Sequence, residues 1–215
     1  IVFSDGSAWN YGRLEDAADP RFNFVREADY CSGAAIALPR ALFAELGGFD
    51  RHYAPAYYED SDLAMRVRAH GLKVRYQPAS VVVHAEGGTA GTDLNKGMKA
   101  YQVDNEKKFL ARWRTTLATT HPSPRTASTI DRAANHRQHH RALVIDACTP
   151  MPDRDAGSVR MLALMRVLLD CSCHVTFFAD NHAHDGHYTT DLQRFGIQAL
   201  WGTWIGDVPT WLAKH

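Results

Sequence analysis

The densest run of reactive side chains is Tyr57-Tyr58-Glu59-Asp60-Ser61-Asp62. A carboxylate held at a helix start beside aromatic residues is well placed to take a proton from a hydroxyl. The same acids would also satisfy free backbone N–H groups and complement the helix dipole, so spacing alone leaves a base and a cap both open. Glu59 and Asp60 do not suit a glycosidase pair, because neighbouring helical residues diverge by about 100° while that chemistry needs two carboxyls facing across one bond. His84 closes the apolar run Val81-Val82-Val83. As a metal ligand it would need carboxylate or phosphate partners, which the local sequence does not supply. Gly157-Ser158 opens a helical pattern, where backbone N–H groups could cradle a phosphate or simply be capped. His182 and His184 could share a cation, but a solvated loop explains them without one, and structural sites usually show fuller ligand sets. Neither a dinucleotide Gly-x-Gly-x-x-Gly nor a P-loop occurs, which counts against hydride transfer and nucleotide hydrolysis.

Elements must hold these groups. Pro39 to Leu46 reads as a short helix, with proline in its first turn and Gly47-Gly48 past its end. The acidic run starts a second helix, in which Leu63 and Val67 share a face and Gly71 stops the pattern. Leu72 to Tyr76 and Ser80 to His84 are β-rich runs divided by Gln77-Pro78. From about Lys96 to Leu117 a long charged helix carries Tyr101, Phe109 and Trp113. Further on, Ala142–Ala147, Val175–Ala179 and Ile197–Trp201 read as strands. They alternate with helices at Gly157–Leu169 and Tyr188–Phe195, the spacing of parallel β-α-β units.

Between these halves, residues 121–141 hold almost no large apolar side chain besides Ile130 and carry four arginines against Asp131. That composition predicts a linker. Residues 1–120 balance 15 basic against 15 acidic groups, while 142–215 carry 5 basic against 8 acidic. The 215-residue chain has no net charge, which disfavours nucleic-acid wrapping or a polybasic membrane grip. Four cysteines are too few for a disulfide framework and point to a reducing, cytoplasmic setting. No run approaches the ~20 apolar residues of a membrane span. The apolar opening Ile1-Val2-Phe3, without an initiator Met, reads as a segment of something longer.

Four elements in order carry a resemblance: Asp29-Tyr30-Cys31-Ser32-Gly33-Ala34-Ala35, Gly47-Gly48-Phe49-Asp50, Tyr58-Glu59-Asp60-Ser61-Asp62-Leu63, and His84. Together they resemble the C-terminal, acceptor-side half of a family 2 glycosyltransferase of the GT-A fold, over roughly residues 1 to 117. The likeness implies inverting transfer of a sugar from a nucleotide-sugar to an acceptor hydroxyl. Asp60 matches the general base and Glu59 the acid beside it. Ser32, Gly33 and Ala34 match the turn at the donor–acceptor junction, and Asp62 joins them as an expected substrate contact. His84 matches a position that meets the metal or diphosphate in some members. A divalent metal, Mn or Mg, is implied, with its main carboxylates in an N-terminal half that this sequence does not contain. The segment alone is therefore expected to be inactive. Arg112-Trp113 keeps part of the processive Gln-x-x-Arg-Trp motif without its glutamine, which argues against a processive polymer synthase.

The second half resembles, through Asp146, Pro150, Pro152 and Asp153 and through Asp155-Ala156-Gly157-Ser158, the opening of a family 4 GT-B glycosyltransferase. Gly157 and Ser158 would then contact a phosphate. The expected fold class is α/β: a partial GT-A domain over 1–120, the linker 121–141, and a partial Rossmann-like domain over 142–215. The expected partners are a nucleotide-sugar donor and a glycan or lipid-linked saccharide acceptor, in cell-envelope or polysaccharide synthesis. The expected location is the cytoplasm, or the inner face of the membrane. The alternative is a non-catalytic module that binds a glycan or sugar nucleotide.

Overall fold

A computed structural model describes residues 1–83, 100–124, 130–204, 206 and 208–214. The chain is mixed α/β with two small sheets. It divides into two compact units. The first comprises Ile1–Asn10, Glu27–Tyr76 and Ser80–Ala134, and the second Tyr11–Arg26, Gln77–Ala79 and Asn135–His215. Sequence order assigns 11–26 to the first half, yet this segment belongs with the second.

Two short strands, β1 (Arg26–Glu27) and β2 (Arg75–Tyr76), pair as a ribbon. Helix α1 (Arg40–Glu45) follows Pro39 and ends where Gly47 and Gly48 both take positive φ, letting their N–H groups return to Ala44 and Phe43 carbonyls. Helix α2 (Glu59–Ala69) starts on the acidic run and buries Leu63 and Val67 on one face. It ends at His70, and Gly71 (φ 75°) turns the chain away. The strand expected over Leu72–Tyr76 is confined to Arg75–Tyr76. The strand expected over Ser80–His84 is absent from its described part: Val81, Val82 and Val83 are exposed and join no ladder. β-branched residues favour a strand only when a neighbouring strand and a covering layer receive them.

Helix α3 (Ala100–Thr120) is the spine of the first unit. Asn105, Phe109, Trp113 and Leu117 recur every fourth residue and form one stripe, with Asn105, Phe109 and Leu117 fully buried. Phe109 and Leu117 pack with Val2, Tyr53, Tyr58 and Met65 in a single cluster, which Trp113 flanks. Within the stretch read as a linker, Ile130–Ala134 forms a short helix, α4.

In the second unit, β3 (His140–Asp146), β4 (Cys173–Ala179) and β5 (Gln198–Leu200) form a parallel sheet in that order, as the β-α-β spacing predicts. Helices α5 (Ala156–Asp170) and α6 (His187–Phe195) make the crossovers. Both contribute to one core cluster, so they cover the same face, as same-handed crossovers advancing in one direction require. Every residue of β4 is buried. Val175, Phe177 and Ala179 pack into that cluster, while Phe178 points the other way to meet Leu143, Leu200 and two residues of α7 (Val208–Lys214), Val208 and Trp211. This alternation is the period of a strand covered on both faces. Gly196 ends α6 at φ 98°, where a Cβ would stand 3.1 Å from the Val25 carbonyl oxygen. None of the four cysteines is in a disulfide, and no described helix is long and apolar enough to cross a membrane.

Candidate active site

The site grows from the loop that feeds α2. Asp50 accepts a hydrogen bond from the His52 N–H at 2.8 Å and caps a single 3-10 turn, Arg51–Tyr53. The chain then reaches Tyr57 and Tyr58, both left-handed at φ 76° and 72°. Bulky residues rarely occupy this region, at a cost of roughly 1 to 3 kcal/mol each, and persist there only where the surroundings over-determine them. Here the surroundings are explicit. The Tyr58 ring packs 5.2 Å from that of Phe109, and the Asn105 side-chain amide donates to the carbonyls of Tyr53, Ala56 and Tyr57 at 2.7, 2.8 and 3.1 Å. Glu59 follows as the first residue of α2.

Asp60 meets the Ser32-Gly33-Ala34 turn. Its Oδ2 accepts the Gly33 N–H at 2.9 Å, and its Oδ1 accepts the Ser61 N–H at 2.7 Å and the Ser61 hydroxyl at 3.3 Å. The turn itself is a 3-10 segment, Gly33–Ala35, whose Ser32 hydroxyl accepts the Ala34 N–H at 3.3 Å. Ser32, Gly33 and Ala34 are exposed and Asp60 is half-buried. A Cβ on Gly33 would lie 3.6 Å from that of Asp60 and 3.8 Å from its Oδ2, so the glycine adds no side chain over the carboxylate. Each carboxylate oxygen can accept more than one hydrogen bond, so Oδ2 retains capacity for a hydroxyl.

Glu59 is half-buried beside Asp60, and its Oε2 is enclosed without a hydrogen-bond partner among the described residues. Burial pushes its carboxyl above the ordinary range; the N–H groups of Glu59 and Tyr57 oppose this, and the Asp60 charge adds to the rise. Nearby, the Tyr30 hydroxyl donates to Asn10 Oδ1 at 2.8 Å. Burial, followed by the charges of Asp60 and Asp29, pushes that phenol well above its usual range.

Asp62 is a correction. Expected to touch substrate, it is fully buried. Its Oδ2 takes Arg66 Nε at 2.7 Å, and its Oδ1 takes Trp113 Nε1 at 2.9 Å and the Tyr53 hydroxyl at 3.2 Å, with Arg112 at 3.3 Å. Its task is to tie α2 to α3 and to the loop before α2.

Gly157 and Ser158 stand in the second unit, at the start of α5. There Asp155 is the N-cap, accepting the Ser158 N–H at 2.7 Å and its hydroxyl at 2.6 Å. Those bonds to Ser158 hold the Asp155 carboxyl below its usual range. The Ser158 N–H and hydroxyl, expected to meet a phosphate, are held by this cap. His182 and His184 have protein partners as well: His182 Nδ1 lies 3.1 Å from the Gly202 carbonyl and the His184 ring packs on Trp201.

His84 lies outside the described residues. Neither Asp60 nor Asp62 belongs to a group of three or more His, Cys, Asp or Glu ligands among the described residues. Sequence reasoning missed Asn105. The available signal was a polar residue one helical step before Phe109 and two before Trp113, on an otherwise apolar stripe.

No family model matches the chain, and no solved structure does. Over 95 residues the chain is 31% identical to N-acetylglucosaminyl-diphospho-decaprenol L-rhamnosyltransferase from two strains of Mycobacterium tuberculosis. The match takes in 44% of this chain and spans 28% of the length of those relatives. The likeness is distant and partial, and it is to a glycosyltransferase.

Proposed function

We propose that this chain carries the acceptor-activating part of an inverting, nucleotide-sugar-dependent glycosyltransferase. The first unit would belong to a GT-A domain of the family 2 kind and the second to the start of a GT-B-like domain. Asp60 is the general base. Its carboxylate takes the proton of the acceptor hydroxyl while that oxygen bonds to the anomeric carbon. The bond from that carbon to the nucleoside diphosphate breaks, and the diphosphate leaves with the electron pair. The observation that carries this reading is the Asp60 carboxylate itself. It is half-buried and aimed by the Gly33 and Ser61 N–H groups, against an exposed turn of small residues. Glu59, half-buried beside it, would help to orient the base. The name of the relatives supports a diphospho-lipid-linked saccharide as acceptor; a nucleotide-sugar donor and work at the inner face of the membrane belong to the same proposal. A divalent cation, Mn or Mg, would balance the diphosphate charge.

Asp60→Asn keeps the shape and removes the basicity. In the full-length protein it is expected to lower turnover by about 10²- to 10⁴-fold, with donor affinity near that of the parent by calorimetric titration. An Asp60→Asn protein that turns over normally removes Asp60 from the role of base. A parent protein that binds glycan or sugar nucleotide but transfers nothing identifies a binding module instead.

A further inference from the structure

We propose that Asn105 of α3 is a positioning residue for the base, acting through the left-handed Tyr57–Tyr58 pair; this rests on the assignment of Asp60 above. Asn105 touches neither Asp60 nor Glu59 in any of its hydrogen bonds. Its Nδ2 instead gathers the carbonyls of Tyr53, Ala56 and Tyr57. The third of these belongs to the peptide joining the two left-handed residues. Holding the Ala56 and Tyr57 carbonyls fixes the two peptide planes on which φ of Tyr57 and φ of Tyr58 turn.

The next steps along the chain are short. The Tyr58 carbonyl accepts the Asp62 N–H at 2.9 Å, opening the hydrogen bonding of α2, and Asp60 lies between them. The direction in which α2 sets out, and therefore where the Asp60 carboxylate points, follows from the peptide that Asn105 holds.

The amide is itself held. Lys108 Nζ donates to Asn105 Oδ1 at 2.8 Å and to the His52 carbonyl at 3.0 Å. A cation on Oδ1 sets which way the amide faces, leaving its two N–H donors for the loop. A carbonyl-satisfying asparagine with no other task would need neither the strained pair nor the lysine. An apolar side chain would serve the stripe that includes Phe109 and Leu117 equally well.

The test is a kinetic cycle on the full-length protein with Asn105→Leu, Asp60→Asn and the double variant, turnover being normalised to folded protein. Displacing a reacting group by about 1 Å costs up to about 100-fold in rate. Asn105→Leu is therefore expected to lower kcat by about 10- to 100-fold, with donor and acceptor KM within about threefold of the parent. Because the effect runs through the base, the double variant should be no slower than Asp60→Asn alone. Lys108→Met, which leaves the buried stripe intact, should lower kcat by about fivefold, a loss that also disappears in the Asp60→Asn background. It carries the test if Asn105→Leu does not fold.

Normal kcat in Asn105→Leu beside a slow Asp60→Asn overturns the positioning role alone. So do losses that multiply in the double variant, since they show a general effect on the fold. If Asp60→Asn is as active as the parent, the base assignment fails and takes this inference with it.

Discussion

Glu59, Asp60 and Asp62 fall within four positions, and the fold gives each a different environment. Asp60 receives N–H donors beside an exposed turn, Asp62 disappears into an ion-paired interior, and Glu59 has one enclosed oxygen unanswered among the described residues. The sequence makes all three look alike, as acids in the first turn of a helix. Their separation depends on what α3 and the Ser32–Ala34 turn bring to each, and no local pattern encodes that. Glu59 has a measurable consequence. Burial raises its folded-state pKa above the unfolded value, taken as 4.5. The native state then binds the proton more tightly, so the cost of the ionised form is absent below that pH and is complete above the folded-state pKa. Stability contributed by this group therefore falls as pH rises through that window. Glu59→Gln, which cannot ionise, is expected to raise the melting temperature at pH 7.5 by more than at pH 4.5, read by circular dichroism. A gain that is the same at both values would show that burial of the charge is not what the substitution relieves.

At the scale of elements, helices marked by their own ends were legible. Pro39 with Gly47-Gly48, the acidic start of α2 with Gly71, and the β-α-β alternation after residue 140 each combine a period with a boundary residue. The run Val81-Val82-Val83 has a strand's composition but no ladder. Its fate depends on a neighbour rather than on its own residues. Arg112-Trp113, read as the remnant of a processive motif, serves a local purpose. Trp113 donates to Asp62, and Arg112 reaches both Asp50 at 2.7 Å and Asp62 at 3.3 Å. These contacts join the loop, α2 and α3 at one buried carboxylate. Removing it leaves Arg66, whose side chain is 12% exposed, without its counter-charge and with only the Leu46 and Gly48 carbonyls to accept from it. Asp62→Ala should therefore cost about 3 to 5 kcal/mol of stability, the usual penalty for breaking a buried ion pair. Urea unfolding would measure it. A loss below about 1 kcal/mol would place Asp62 among surface ion pairs, whose contributions are of that size.

Across the whole molecule, the two units have cores with no residue in common. Val2, Tyr53, Tyr58, Met65, Phe109 and Leu117 build one; Met165, Val175, Phe177, Leu192 and Ile197 contribute to the other. The segment 11–26 shows why sequence order does not draw this division. Phe24 is buried with its ring 5.8 Å from that of His174, and the Val25 N–H donates to the Gln193 carbonyl at 2.9 Å. Contacts across such separations leave no periodicity to read. Separate cores imply separately cooperative units, each opening with its own free energy. Phe177, 1% exposed at the centre of β4, is the sharpest probe. Phe177→Ala should cost about 3 to 5 kcal/mol, as large-to-small changes in a packed core do. In native-state hydrogen exchange that loss should accelerate amides throughout β3, β4 and β5 and leave those of α2 and α3 as protected as in the parent. Phe109→Ala should do the reverse. Acceleration spread evenly over both sets in either variant would mean that the chain opens as one unit, despite its two cores.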